Sequence, residues 1–226
     1  MAIKLKKNSG IKLAKEDGNI GLQEISLGLG WDESKGYRII EKEVVHNVGG
    51  FLGFGTKQTR EIVQERQHIG AVDLDATVLA YKQGNLVGEC SYRTKNTPIM
   101  YNGNMVLKHF GDDTTGGSNK GGDDETIKVF LSNMGDFADT LYLVLNVFSA
   151  QGRGQTLDMV ENAYVKVYGE NKEELANFNL SENYKGQTGS IVGKVIISNG
   201  VREFIALGDG VDVRGIDDLI KVSTKY

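Results

Sequence analysis

Cysteine occurs once in the 226 residues, at Cys90, and proline once, at Pro98. A single cysteine rules out an intrachain disulfide and any thiolate metal cluster built within one chain. With proline nearly absent, punctuation falls to 30 glycines and to Asn and Asp. Histidine is scarce too. His46, His68 and His109 are scattered, without the HxH or HExxH spacing of a metal or protease site. There is no basic block: 26 Lys and Arg stand against 30 Asp and Glu, a net charge of −4. That balance argues against nucleic acid as the main partner. No apolar stretch approaches the roughly 18 residues of a transmembrane helix, and the N-terminal MAIKLKKNSGIKLAKEDG lacks the apolar segment of a signal peptide. A cytoplasmic location is the expectation. Nucleotide loops are also missing. SLGLGW and GGFLGFG have no strand–turn–helix context, and no Ser or Thr follows Lys120 in GGSNKGG.

What the chain does have is a succession of short β-branched and aromatic runs. EISLGLGW, YRIIEKEVV, GAVDLDATVLAY, ETIKVFL, TLYLVLNVFS, AYVKVYG, SIVGKVIIS and REFIALG alternate with glycine, Asn and Asp. This is the pattern of an all-β sandwich or barrel. TLYLVLNVF is nearly continuous and predicts a central strand, whereas AYVKVYG alternates and predicts a half-buried one. KEELANF suggests one or two helical turns. GIDDLIKV puts Ile216, Leu219 and Ile220 on one face and predicts a short C-terminal helix. No linker or fixed-period repeat divides the chain, so residues 1–226 read as one domain with an insert at 41–70. Within it, Glu41–His46 and Thr59–Arg66 fit the arms of a hairpin, although TKQTREIVQERQHI also tolerates a helix. Phe51, Leu52 and Phe54 at its tip would either form an exposed contact surface or tuck back onto the body.

The charge is concentrated in one place. HFGDDTTGGSNKGGDDETIKVFL carries Asp112 and Asp113, then Asp123, Asp124 and Glu125, with only Lys120 among them. A hard divalent cation would neutralise such a cluster, and calcium, with six to eight oxygen ligands in flexible geometry, fits a loop rich in glycine and hydroxyls better than magnesium. The bland alternative is a solvated acidic turn. The loop is not an EF-hand: counted from Asp112, Gly116 falls where an oxygen ligand belongs, and Asp123 stands where Glu is required. Two more stretches add carboxylates. GLGWD ends in Asp32 beside the only tryptophan, Trp31, and VDLDA would present Asp73 and Asp75 on one face of a strand. Two unpaired carboxylates there are costly unless exposed or shared with a cation.

Taken in order, GLGWD, DLDA, GDDTTG followed by GGDDETIKVFL, LVLNVFSAQGRGQTLDMVENAYVKV, ELANFNLSE and FIALGDG resemble the TerD family of tellurium-resistance and stress proteins, over nearly the whole chain. GGFLGFGTK, between the first two, is most like the TerZ branch. The resemblance implies a β-sandwich with calcium-binding loops at one end. It nominates Asp32, Asp73, Asp75, Asp112, Asp113, Thr115, Asp123, Asp124 and Glu125 as ligands, with Ca2+ as the bound ion and no catalytic residues. It also implies a part in tellurite, phage and colicin resistance. The partners it implies are other tellurium-resistance proteins near the inner face of the bacterial membrane, and self-association is a further expectation. The chain departs from the family's usual GDNxTG, since Asp113 replaces a neutral amide. A different class remains open beside this one: a binder of nucleotides or phosphorylated metabolites, or an enzyme, using calcium as a bridge.

Overall fold

The computed structural model describes residues 10–12, 22–33, 37–48, 57–117, 122–180, 184–198 and 201–226. Two six-stranded antiparallel sheets face each other. The first runs β1 (Gly10–Lys12), β14 (Val201–Val211), β13 (Gly189–Ser198), β10 (Thr140–Val147), β5 (Leu74–Lys82) and β6 (Asn85–Cys90). The second runs β12 (Glu174–Asn179), β11 (Tyr164–Tyr168), β2 (Ile25–Gly30), β9 (Glu125–Val129), β8 (Asn104–His109) and β7 (Ile99–Tyr101). Leu27, Leu29, Ile127, Val129, Val165 and Val167 from the second sheet meet Val78, Leu141, Leu143, Val195 and Phe204 from the first in one apolar core.

The strands differ in how many of their faces are covered. β11 has one, and its burial alternates along YVKVY. β10 has both covered, because the C-terminal helix, Ile216–Ser223, lays Leu219 over Leu79, Tyr81, Tyr142 and Val144 on the outer side of the first sheet. A strand covered on both faces reads as a continuous apolar run, which explains TLYLVLNV. Among the described residues no helix is long and apolar enough to cross a membrane.

Two segments left open or misread by the sequence take definite form. KEELANF is not helical: Glu174–Asn179 is the edge strand β12, paired antiparallel with β11. Its Ala176 is fully buried in the core, so tertiary pairing overrides a weak helix propensity. The insert is a hairpin, β3 (Tyr37–Val48) and β4 (Lys57–His68), in unbroken register from Tyr37 opposite His68 to Val48 opposite Lys57. It forms a sheet of its own, laced by the exposed pairs Lys42–Glu65 and Arg60–Glu43. Its tip, with Phe51, Leu52 and Phe54, lies outside the described residues.

Candidate metal centre

Antiparallel pairing brings the start of β5 beside the end of β10, with Asp75 opposite Asn146 and Leu74 opposite Val147. Across the sandwich, β9 begins with Glu125, whose side chain turns inward like those of Ile127 and Val129 after it. The loop after β8 supplies Asp112. One carboxylate oxygen each from Asp75, Asp112 and Glu125 lies within 4.8 Å of the other two, the only such group among the described residues. Two oxygens held at roughly 2.4 Å on opposite sides of one calcium are about 4.8 Å apart, so the spacing suits a shared ion.

The cluster is deeply desolvated: Asp75 and Glu125 are each 1% exposed and Asp73, just before β5, is 7% exposed. Burial is the main reason their carboxyls resist ionising. It pushes Glu125 up to about 9, with Asp112 and Asp73 adding repulsion against a hydrogen bond from the Ala76 N–H. Burial, then Asp73 and Glu125, raise Asp75 to about 8, and burial with Asp112 raises Asp73 to about 6. Lys95 pairs with Asp112 at the rim. Glu125 Oε2 accepts from Ala76 N at 2.8 Å, but Glu125 Oε1 and Asp73 Oδ1 are buried with no hydrogen-bond partner. Buried oxygens without a donor are what a cation would satisfy.

His109 lies beside the cluster without offering it a nitrogen. Burial holds its imidazole neutral, down to about 4. Nδ1 accepts from Gly111 N–H at 3.3 Å, which places the single ring proton on Nε2, 3.8 Å from Glu125 Oε2. The donor set facing the centre is therefore all oxygen, which suits a hard cation better than zinc.

The other nominated ligands are placed differently. Asp113 Oδ1 accepts from the Thr115 N–H, the Thr115 hydroxyl and the Gly116 N–H at 2.9–3.0 Å, so that oxygen and Thr115 both serve the turn. Asp124 Oδ2 accepts from Trp31 N–H, and Asp32 Oδ2 from Asn162 Nδ2. Asp123 faces away from the cluster. Its Oδ1 accepts from the hydroxyls of Tyr164 and Tyr168 on the outer surface of the second sheet. The glycines of SLGLG make that possible: a Cβ on Gly28 would meet the Asp123 carboxylate at 2.3 Å, and one on Gly30 the Tyr164 ring at 2.5 Å. Gly116, at φ +75°, packs against the buried Trp31 indole, which therefore lies beneath the acidic loop.

Sequence reasoning missed Lys95 and Asn146, and it noted His109 only as one of three scattered histidines. Asn146 had a visible signal, a lone amide inside an apolar run that the pattern marks as central. The TerD domain family matches residues 1–222. The stress response protein SCP2 of Bacillus subtilis (strain 168) is 31% identical over 230 residues, covering 97% of this chain and 98% of that protein. The tellurium resistance protein TerZ of Serratia marcescens is 31% identical over 218 residues, covering 96% and 94%. In fold, the crystal structure of a homologue of telluride resistance protein (TerD) from Streptomyces coelicolor A3(2) superposes with a TM-score of 0.60 at 18% identity, over 86% of this chain and 93% of that one.

Proposed function

The chain belongs to the TerD family, and from that premise we propose that it is a calcium-binding, non-catalytic module of a bacterial tellurium-resistance and stress-response assembly. One observation carries the reading: Asp75, Asp112 and Glu125 converge, with Asp73 beside them, where carboxylate oxygens are buried without donors. The ion would be held by those residues. It would supply charge neutralisation and a fixed geometry for the 111–117 loop, while the Ala76 N–H holds Glu125 in place. The module then works by association with other proteins of the resistance system at the inner face of the membrane, and calcium sets the shape it presents. The names of its relatives, tellurium resistance protein TerZ and stress response protein SCP2, support the biological setting.

Titration calorimetry on chelator-stripped protein tests the reading, with the fluorescence of Trp31 as an independent reporter from beneath the loop. Absence of binding at millimolar calcium, the weak end of protein calcium sites, overturns it. A ligand that binds only the folded state adds about 2.7 kcal/mol at a hundredfold excess over Kd, about 5–10 °C in melting temperature for a chain of this length. Magnesium should give a smaller shift. Equal shifts from both ions would mean charge screening.

A further inference from the structure

Asn146, the last residue but one of β10, is 2% exposed, yet its amide is only half used. Nδ2 donates to Asp75 Oδ2 over a long 3.4 Å, and Oδ1 has no partner. A buried carbonyl left unpaired is costly, so the position calls for a donor. Asn146 lines a cavity of about 410 Å³ between the 92–94 turn, the end of β10 and the first turn of the C-terminal helix. Tyr92 and Phe148 line it as an edge-to-face pair with centroids 5.5 Å apart. Arg93, Arg214 and Lys221 also line it, and the Arg153 guanidinium stacks over Phe148 from outside the lining set, 5.6 Å from the ring centre.

The two lining arginines are already engaged, and both aspartates line the cavity with them. Arg93 pairs with the exposed Asp217 at 2.8 Å, and Arg214 grips Asp218 through a two-toothed fork at 2.8 and 3.2 Å. The Arg93–Asp217 pair is open to water and screened, so a stronger acceptor displaces Asp217 at little cost; Arg214 keeps Asp218 and offers the N–H donors that face away from it. A phosphate or carboxylate held by a guanidinium fork is that acceptor. The volume falls within the range of small-molecule sites, about 300–1,000 Å³.

We propose that this cavity binds a small organic anion with three parts: an N–H or O–H donor for Asn146 Oδ1, a flat body against Tyr92 and Phe148, and a phosphate or carboxylate for Arg93 and Arg214. Mononucleotides and aminated aromatic acids share that chemistry. The site stands apart from the calcium reading, although Asn146 touches both.

The test is calorimetry on the full chain with AMP, 4-aminobenzoate and inorganic phosphate, each in calcium and in chelator. At least one organic anion should bind about tenfold or more tightly than inorganic phosphate, since only it reaches Asn146 and the rings. Whether AMP or 4-aminobenzoate binds decides between phosphate and carboxylate. Arg93→Gln with Arg214→Gln, both at exposed positions, should weaken that binding about tenfold or more, with the melting temperature and calcium heat unchanged. No heat from either organic anion at millimolar concentration overturns the proposal. So does binding that the double variant leaves intact, which would be general surface charge.

Discussion

Asp123 and Glu125 are two residues apart in DDE and live in opposite worlds. Glu125 is buried at the end of the sandwich among other carboxylates, and its carboxyl is pushed up to about 9. Asp123 rests on the glycine floor of the second sheet's outer face, where two tyrosine hydroxyls donate to it. One is an acid whose surroundings oppose its charge, and the other an acid whose surroundings accommodate it. Residue type and nearness in sequence do not set a carboxylate's surroundings; where the fold places it does.

The sharpest way to break this contrast is a pair of isosteric amides. Glu125→Gln should lower calcium affinity about a hundredfold or more, since a ligand oxygen and a unit of charge are lost together. Asp123→Asn should change it less than about threefold. Equal losses in calorimetry would put both carboxylates on the ion.

A smaller effect lies in the pH dependence of the metal-free protein. Asp75 at about 8 and Glu125 at about 9 keep their protons in the folded state, while the unfolded chain releases them near 4. The folded state then binds more protons than the unfolded one between those values. Stability from these groups is thus greatest near pH 4 and falls as pH rises towards 9. Melting temperatures in chelator should decline across that window, and Glu125→Gln should flatten the decline. Calcium needs the ionised carboxylates, so its binding at pH 7 should release protons, visible as heats that depend on the buffer. A slope unchanged in the Gln variant would mean that other groups control it.

The smallest effect belongs to the tyrosines. Tyr168→Phe removes one of two phenol donors to Asp123 and should cost about 0.5–1.5 kcal/mol in urea unfolding, with calcium affinity unaltered. A loss of calcium binding would tie the outer face to the centre.

Much of the fold was legible because sandwich strands announce their burial. Alternation in YVKVY and continuity in TLYLVLNV follow directly from one covered face or two. KEELANF was not legible, because its strand exists only by pairing with β11, a partner outside any local window. The site was legible as a set of carboxylates and illegible as an arrangement. Extending the parity of β9 backwards would place Asp123 with Glu125, but the strand begins at Glu125 and the preceding residues turn Asp123 onto the other surface. The glycines of SLGLG looked like punctuation and prove to be floor space, a role defined by side chains nearly a hundred residues or more away. Asn146 and His109 gain meaning only from what the fold packs beside them.

The carboxylate cluster straddles the two layers, with Asp75 in β5 of one and Glu125 in β9 of the other. The Ala76 N–H bond to Glu125 already joins positions 49 apart in the chain. An ion in that place would act as a removable clasp. A disulfide closing a loop of that size would remove about 4 kcal/mol of unfolded-chain entropy permanently, and this chain, with a single buried cysteine, has no such bond within itself. A clasp whose grip depends on concentration turns durability into a variable. The rate at which the layers part, and with it the time the protein survives before a protease reaches its core, would follow the supply of metal around it.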